Sequence, residues 1–389
     1  MIRWSDLDEE RVGEWLFALK VFVTARVLAT AAALVGATGV PLQKIATPSP
    51  LYVFAHYSVW ADRLIGVWER SDAVWYIFLA RFGYGVNPDG VVFMPVYVLL
   101  IRLMHIIPML YLEAALIISN VAALVALYLN YRLCASELGD EVGKRATWFL
   151  ALFPGSFFFL APYTESLFLA LALGTWWLAR QRRWGWAVLA AAVLGVTRNS
   201  GVLILVPLAL EVWRQRHEEP PGPWWPLAVL PLGLCGIASY AGYWYYRSGD
   251  ALMFVHHQTT WDRHPMSPFT TLALGLHQAW QYLGATSGAV YWMEALALLF
   301  VLLMWLLSIG RLPLSYVVWT IIMIVPPLCA PFPGRVLMSS LRFDAVLFPV
   351  FWTLAVMVKN RDVEQGLLLL FAGLYALSVA LYVSNQWMF

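Results

Sequence analysis

The sequence predicts an all-α fold, a polytopic bundle of transmembrane helices with about eleven spans. Three observations lead there. Of the 389 residues, 61% are hydrophobic and only 12% are charged, where soluble domains carry about 25% charged residues. Apolar segments of spanning length recur from end to end. Once they are placed, no stretch is left for a soluble domain, and the longest polar-rich loop is 39–111. The chain is therefore read as one integral membrane domain, 1–389, with outer loops at 39–111 and 248–288. Cys134, Cys235 and Cys329 lie far apart with no CxxC or Cys/His spacing, so neither a disulfide framework nor a metal site follows from them. The net charge of +2 points to no partner, and no nucleic acid is expected.

The spans are expected near 16–38, 112–132, 146–162, 166–179, 184–197, 201–213, 225–246, 289–309, 313–330, 343–358 and 366–384. Several are shorter than the roughly 20 residues a bilayer asks for, which implies tilt or thinning. The start, MIRWSDLDEERVGEW, is mixed and acidic, unlike the basic head of a cleaved signal, and the first span is read as retained. Segment 93–108, FMPVYVLLIRLMHIIP, is apolar but interrupted by Pro95, Arg102, His105 and Pro108. It is read as an outer-surface or re-entrant helix. The reason is parity: if it does not span, the basic loops 132–145, 180–183, 214–217 and 359–361 all fall inside, as the positive-inside rule demands. The N-terminus is then cytoplasmic and the C-terminus outside. Fifteen of the 25 Lys and Arg residues lie inside, Lys20 and Arg26 among them. The ten outside are Lys44, Arg63, Arg70, Arg81, Arg102, Arg198, Arg247, Arg263, Arg335 and Arg342. Nine of these are Arg, the residue that grips phosphate in a forked geometry, although Arg also snorkels to lipid headgroups.

The first outer loop holds the stretch around which the chain is organised, RSDAVWYIFLARFGY at 70–84. Trp75, Phe78, Leu79 and Phe82 fall at i, i+3, i+4 and i+7, one apolar helical face. Ser71 and Asp72 stand where an N-cap belongs and Gly83 where a helix stops. Such a helix lies on the membrane surface and holds Asp72 at the water boundary. A cap alone would also explain Asp72.

Four further polar clusters fall on the same face. PYTES (162–166) exposes Glu165, or simply starts a helix with Thr164 as its cap. TRNSG (197–201) offers Arg198 and Asn199, with Gly201 as a helix breaker. The segment 248–264, SGDALMFVHHQTTWDRH, offers Asp250, His256, His257, Gln258, Trp261, Asp262 and Arg263. Adjacent histidines lack ligand spacing on a helix or a strand. PFPGRVLMSSLRF (331–343) carries Arg335 and Arg342. Four clusters on one face, with none comparable inside, argue for a polar site at the outer surface. In the second span, Ser119 and Asn120 are read as packing hydrogen bonds.

These motifs resemble the PIG-V family of membrane mannosyltransferases in its shorter bacterial form, within the GT-C superfamily. The resemblance rests on RSDAVWYIFLARFGY, MPVYVLLIRL (94–103), FPGSFFFLAPYTESLFLALAL (153–173) and TRNSGVLIL (197–205), and more loosely on GDALMFVHHQTTW (249–261) and LRFDAVLFP (341–349). The family usually has Trp directly before the first-loop acid, where this chain has Ser71. The resemblance implies an inverting transferase on the outer face of a bacterial cytoplasmic membrane. Its donor is a polyprenyl-phosphate-linked sugar, mannose, and its acceptor a hydroxyl of a glycolipid or similar molecule.

The residues fit that chemistry. There is no Gly-rich phosphate loop for a nucleotide sugar. An attacking hydroxyl needs a carboxylate base. A lipid phosphate leaves without an acid and needs cations instead, unlike glycoside hydrolysis with its two carboxylates. Asp72 is taken as the general base, with Glu165 second, orienting the acceptor or Asp72, or holding a cation if the enzyme uses one. Arg198, Arg335, Arg342 and His257 are candidates for the donor phosphate, and Asn199, Tyr163 and Trp75 complete the substrate-binding set. No cofactor and no metal ligands are assigned, and nothing in the sequence indicates a divalent cation. Two alternatives stand beside this reading: a transferase of another sugar, such as arabinose or glucose, and a flippase or exporter of lipid-linked sugars.

Overall fold

The computed structural model describes residues 4–39, 59–107, 109–285 and 288–384; Lys44, one of the ten outer cations, lies outside them. The described chain is helical throughout and contains no strand. The helices are α1 (Trp4–Gly39), α2 (Val59–Leu64), α3 (Asp72–Phe82), α4 (Pro95–Met104), α5 (Tyr111–Leu138), α6 (Asp140–Leu152), α7 (Glu165–Arg180), α8 (Trp184–Gly195) and α9 (Leu205–Arg216). There follow α10 (Pro226–Val229), α11 (Cys235–Ser248), α12 (Met253–His256), α13 (Pro268–Gln281), α14 (Gly288–Ser308), α15 (Leu314–Cys329), α16 (Ser340–Ala345), α17 (Phe348–Met357) and α18 (Arg361–Val383).

Among the described residues, five helical segments are long and apolar enough to cross a membrane: Arg11–Gly39, Tyr111–Leu138, Pro226–Ser248, Gly288–Ser308 and Arg361–Val383. The other expected spans coincide with shorter helices, several continued or preceded by 3₁₀ turns such as Pro154–Phe159 and Asn199–Ile204. The count of eleven is thus not established. Helix α5 packs on α1, α6 and α7, and α18 returns along α1. Apolar side chains also remain on the outside, as Leu16, Val23 and Val27 do on α1 and Leu296 and Leu303 on α14, the pattern of a bundle that meets an apolar solvent.

The two ends of the bundle differ. At one end the basic loops meet acids in a buried network. Arg180 reaches Glu137 at 2.8 Å, Glu211 at 2.9 Å and Glu218 at 2.8 Å, and Arg214 reaches Glu137 at 2.7 Å. Tyr316 and Ser315 add hydrogen bonds from α15 to Glu137 and Glu211. This ties α5, α7, α9 and α15 together. At the other end the polar turns converge. Ser119 donates to the Tyr163 carbonyl at 3.0 Å and Asn120 to the Leu160 carbonyl at 3.1 Å, holding the PYTES turn on α5. Both are packing hydrogen bonds, as expected. Arg26, counted above with the inner cations, reaches the same Leu160 carbonyl at 3.2 Å and lies over the Trp68 ring. It therefore sits beside the polar end.

Helix α3 forms where the sequence places it, Asp72–Phe82 with Gly83 as its C-cap, but its surroundings differ from the expectation. Seven of its eleven residues are buried, including Ala73, Val74, Tyr76, Ile77 and Ala80, whereas Phe82 is exposed. The helix is enclosed between α4 and α5 instead of presenting one apolar face. Helix α4 buries Tyr97, Val98 and Ile101 and exposes Leu99 and Leu103; ten residues are too short to cross a bilayer.

Candidate active site

The residue before α3 fixes where Asp72 stands. Arg70–Ala73 is a tight turn closed by a 3.1 Å bond from the Ala73 N–H to the Arg70 carbonyl. Ser71 occupies its first central position with φ 55° and ψ −123°, the conformation of a type II′ turn that normally favours glycine. The Arg70 carbonyl is also fastened by the hydroxyls of Tyr163 (3.2 Å) and Tyr382 (3.4 Å). Ser71 makes no side-chain cap. The Asp72 carboxylate turns instead to the Arg342 guanidinium, accepting a short hydrogen bond from Nη1 at its Oδ2. Capping therefore does not explain Asp72.

Arg342 comes from α16, and a close approach sets that helix in place. A Cβ on Gly155, in the 3₁₀ turn of FPGSFFF, would collide with the Leu341 carbonyl oxygen. Gly201, expected to break a helix, lies inside the 3₁₀ turn Asn199–Ile204 and instead lets it press against the Leu194 carbonyl. That turn begins next to Arg198.

Glu165 opens α7, as expected, yet Thr164 makes no cap; its hydroxyl lies 3.4 Å from the Tyr76 hydroxyl. The Glu165 carboxylate accepts from Arg198 Nη1 at 2.6 Å, and Arg342 Nε lies 3.2 Å from the same oxygen. Its other oxygen is buried without a hydrogen-bond partner among the described residues. Asp72, Arg342, Glu165 and Arg198 thus form one chain of alternating charge. Arg342 is held strongly protonated: burial opposes its charge, but Asp72 and Glu165 together outweigh that cost. Its guanidinium carbon also lies 5.5 Å from the Tyr163 ring centroid.

All four residues line a cavity of about 490 Å³. Tyr76, Phe93, Met323, Pro326, Phe332 and Phe343 give it apolar walls; Asn199, Gln258, Trp261 and Arg263 add polar or aromatic groups. Of the other expected residues, Tyr163 is fully buried and lies beneath Arg342. Trp75 stands behind the wall, stacked on Phe93 and edge-on to Trp261. Arg335 and His257 do not line the cavity. Arg335 is buried against Glu294 of α14 at 2.8 and 2.9 Å, and Glu294 also accepts the Ser339 N–H, so this pair anchors the 331–343 loop. The site residues that sequence reasoning did not assign are Arg263, Gln258 and Trp261. Their signal was membership of the polar segment 248–264, to which Arg263 added its place among the outer arginines. Among the described residues no group of three His, Cys, Asp or Glu side chains is arranged to hold a metal ion, and both cavity carboxylates face guanidiniums.

Comparison with known proteins relates part of this chain to a described family. Residues 19–212 match the family model described as mannosyltransferase (PIG-V), and over that stretch the chain is similar to that family. Asp72, Glu165 and Arg198 lie inside the matched stretch; Arg263 and Arg342 lie beyond it. The apolar helices and the family together make the chain an integral membrane protein. Two crystal structures of the Archaeoglobus fulgidus oligosaccharyltransferase are similar to it, one tethered to an acceptor peptide and one in complex with zinc and sulfate. They align with TM-scores of 0.44 and 0.41, each at 14% identity, over 94% and 93% of this chain. The alignments cover 55% and 52% of those chains, so the chain spans about half their length. No curated protein matches the sequence.

Proposed function

We propose that the protein transfers mannose from a polyprenyl-phosphate-linked donor to a hydroxyl of a glycolipid or similar acceptor. Transfer takes place with inversion at the outer face of a bacterial cytoplasmic membrane, with the N-terminus in the cytoplasm. Asp72 is the general base. The acceptor oxygen attacks the anomeric carbon and gives its proton to the carboxylate, while the bond from that carbon to the phosphate oxygen breaks. The lipid phosphate departs with the bonding electrons, and the guanidinium side of the cavity offsets its charge.

One observation carries the choice of base. Asp72 offers the accessible carboxylate: its side chain is 24% exposed against 1% for Glu165. Among the described residues its Oδ1 accepts no hydrogen bond, while Oδ2 is held by Arg342. Arg342 holds the carboxylate aimed into the cavity. Glu165 is committed to Arg198 and Arg342, which makes it a positioning residue for both. The test is to incubate the purified protein with radiolabelled polyprenyl-phosphate-mannose and a bacterial membrane lipid extract. A new labelled glycolipid is the expected product; recovery of only unreacted donor, at any donor concentration, would count against the reading.

A further inference from the structure

Two of the three arginines that line the cavity are matched by carboxylates: Arg342 by Asp72 and Glu165, and Arg198 by Glu165. Arg263 is not. Among the described residues its side chain makes one hydrogen bond, from Nη1 to the Ala330 carbonyl at 2.9 Å, and no ion pair. The nearest carboxylate in sequence, Asp262, faces the other way, to His264 Nε2 at 3.2 Å. The backbone builds this division. Asp262 adopts φ 56°, and the turn it makes is closed by its own N–H to the Thr259 carbonyl. Beyond it the Met266 N–H bonds the Cys329 carbonyl at 2.9 Å, so the segment is pinned twice to the end of α15. Trp261, one residue earlier, is held by its indole N–H on the Asp89 carbonyl at 3.2 Å.

The charged side chains of the cavity are Asp72, Glu165, Arg198, Arg263 and Arg342. Two carboxylates against three guanidiniums leave one positive charge over, and Arg263 is where it resides. Burial, and after it Arg342, with Arg198 adding less, lower its pKa from the ordinary guanidinium value, while Asp72 opposes them. A half-buried cation in that position is stabilised by an incoming anion. Its backbone tether holds the guanidinium in place and leaves further N–H groups for a forked contact.

We infer that Arg263 is the residue that binds the phosphate ester of the lipid-linked substrate, and that Arg198 and Arg342, already matched, serve to place the two carboxylates. The inference rests on the transferase reading only for the name of the ligand; the binding chemistry is that of a single phosphate ester anion. It is tested on the purified full chain in neutral detergent by calorimetric titration with dodecyl phosphate. Dodecanol, inorganic phosphate and phosphatidylglycerol serve as comparison ligands.

The wild type should bind dodecyl phosphate at least tenfold more tightly than dodecanol or phosphatidylglycerol. Arg263→Gln should weaken that binding ten- to hundredfold, the usual range for a lost charge-assisted contact, and leave dodecanol binding unchanged. Arg263→Lys, which keeps the charge without the fork, should weaken it three- to tenfold. Arg81→Gln, on the exposed end of α3, should change nothing. Wild-type affinity for dodecyl phosphate in either Arg263 variant overturns the inference. So does phosphatidylglycerol binding as tightly as dodecyl phosphate, or inorganic phosphate competing equally well, since these would point to a headgroup or a free-anion site. A protein that binds dodecyl phosphate through Arg263 but transfers no sugar refutes the transferase reading alone. A working transferase whose donor Michaelis constant is unchanged in Arg263→Gln refutes this inference alone.

Discussion

Asp72→Asn separates a structural from a chemical role for the acid at the start of α3. The carboxylate contributes one strong hydrogen bond to Arg342. Breaking a buried pair by removing one partner usually costs about 3–5 kcal/mol, because a charge is left alone. Here Arg342 keeps Glu165 at 3.2 Å, and the Asn oxygen can still accept the Arg342 N–H. The expected loss of stability is therefore smaller, about 1–2 kcal/mol. The chemistry is less forgiving. Asn takes no proton from an acceptor hydroxyl, and removing a general base lowers rates by about 10²–10⁴-fold, or about 3–5 kcal/mol of barrier. The measurement is transfer of radiolabelled mannose from the lipid-phosphate donor, normalised to folded protein by size exclusion and thermal unfolding. Glu165→Gln is the control. It removes the charge opposite Arg198, so stability should fall more than in Asp72→Asn, while transfer per folded molecule falls less. If Asp72→Asn stays active and Glu165→Gln is dead, the two acids exchange roles. If both variants remain active, the cavity is not a transferase site of this kind, and the exporter reading takes precedence.

Three further outcomes are expected. Gly155→Ala puts a methyl group into the Leu341 carbonyl; it should cost about 1–3 kcal/mol and lower transfer by displacing Arg342, whereas Gly13→Ala, which meets nothing, should do neither. Glu69 is buried, and burial raises its pKa from the usual 4.5 to about 7, with Asp62 adding to the rise and Arg70 opposing it. The folded protein then holds a proton that the unfolded chain has lost, so stability falls as pH rises from about 4.5 to about 7; Glu69→Gln should melt higher than wild type at pH 8, by at most about 3 kcal/mol in stability, and match it near pH 4. In a chain whose native cysteines are replaced by Ser, a membrane-impermeant maleimide applied from outside should label Cys at exposed Val86 and not at exposed Gln181; labelling at Gln181 would reverse the proposed orientation.

The difference between what the sequence disclosed and what it withheld follows the range of each interaction. Helix ends were legible where they depend on neighbours a few positions away: α3 stops at Gly83 and α7 starts at Glu165, as the local signals required. The grouping of polar turns at one end was legible from loop charge, because orientation acts on each loop separately. Pairing was not. Asp72 and Arg342 are 270 positions apart, and no periodicity connects them. For that reason two acids that bind guanidiniums had the appearance of helix-start residues, Asp72 of a cap and Glu165 of a first-turn acid behind Thr164. The same limit governs the arginines. Arg335 and Arg342 share one short segment and one residue type, yet Glu294 takes the first out of the cavity and Asp72 holds the second in it. A count of outer arginines therefore measures how much positive charge is available, and only the positions of the acids decide how much of it remains for a ligand. Applied to Arg198, Arg263 and Arg342, that subtraction leaves Arg263, which the sequence offered only as one of nine outer arginines and one polar residue among seven in its segment.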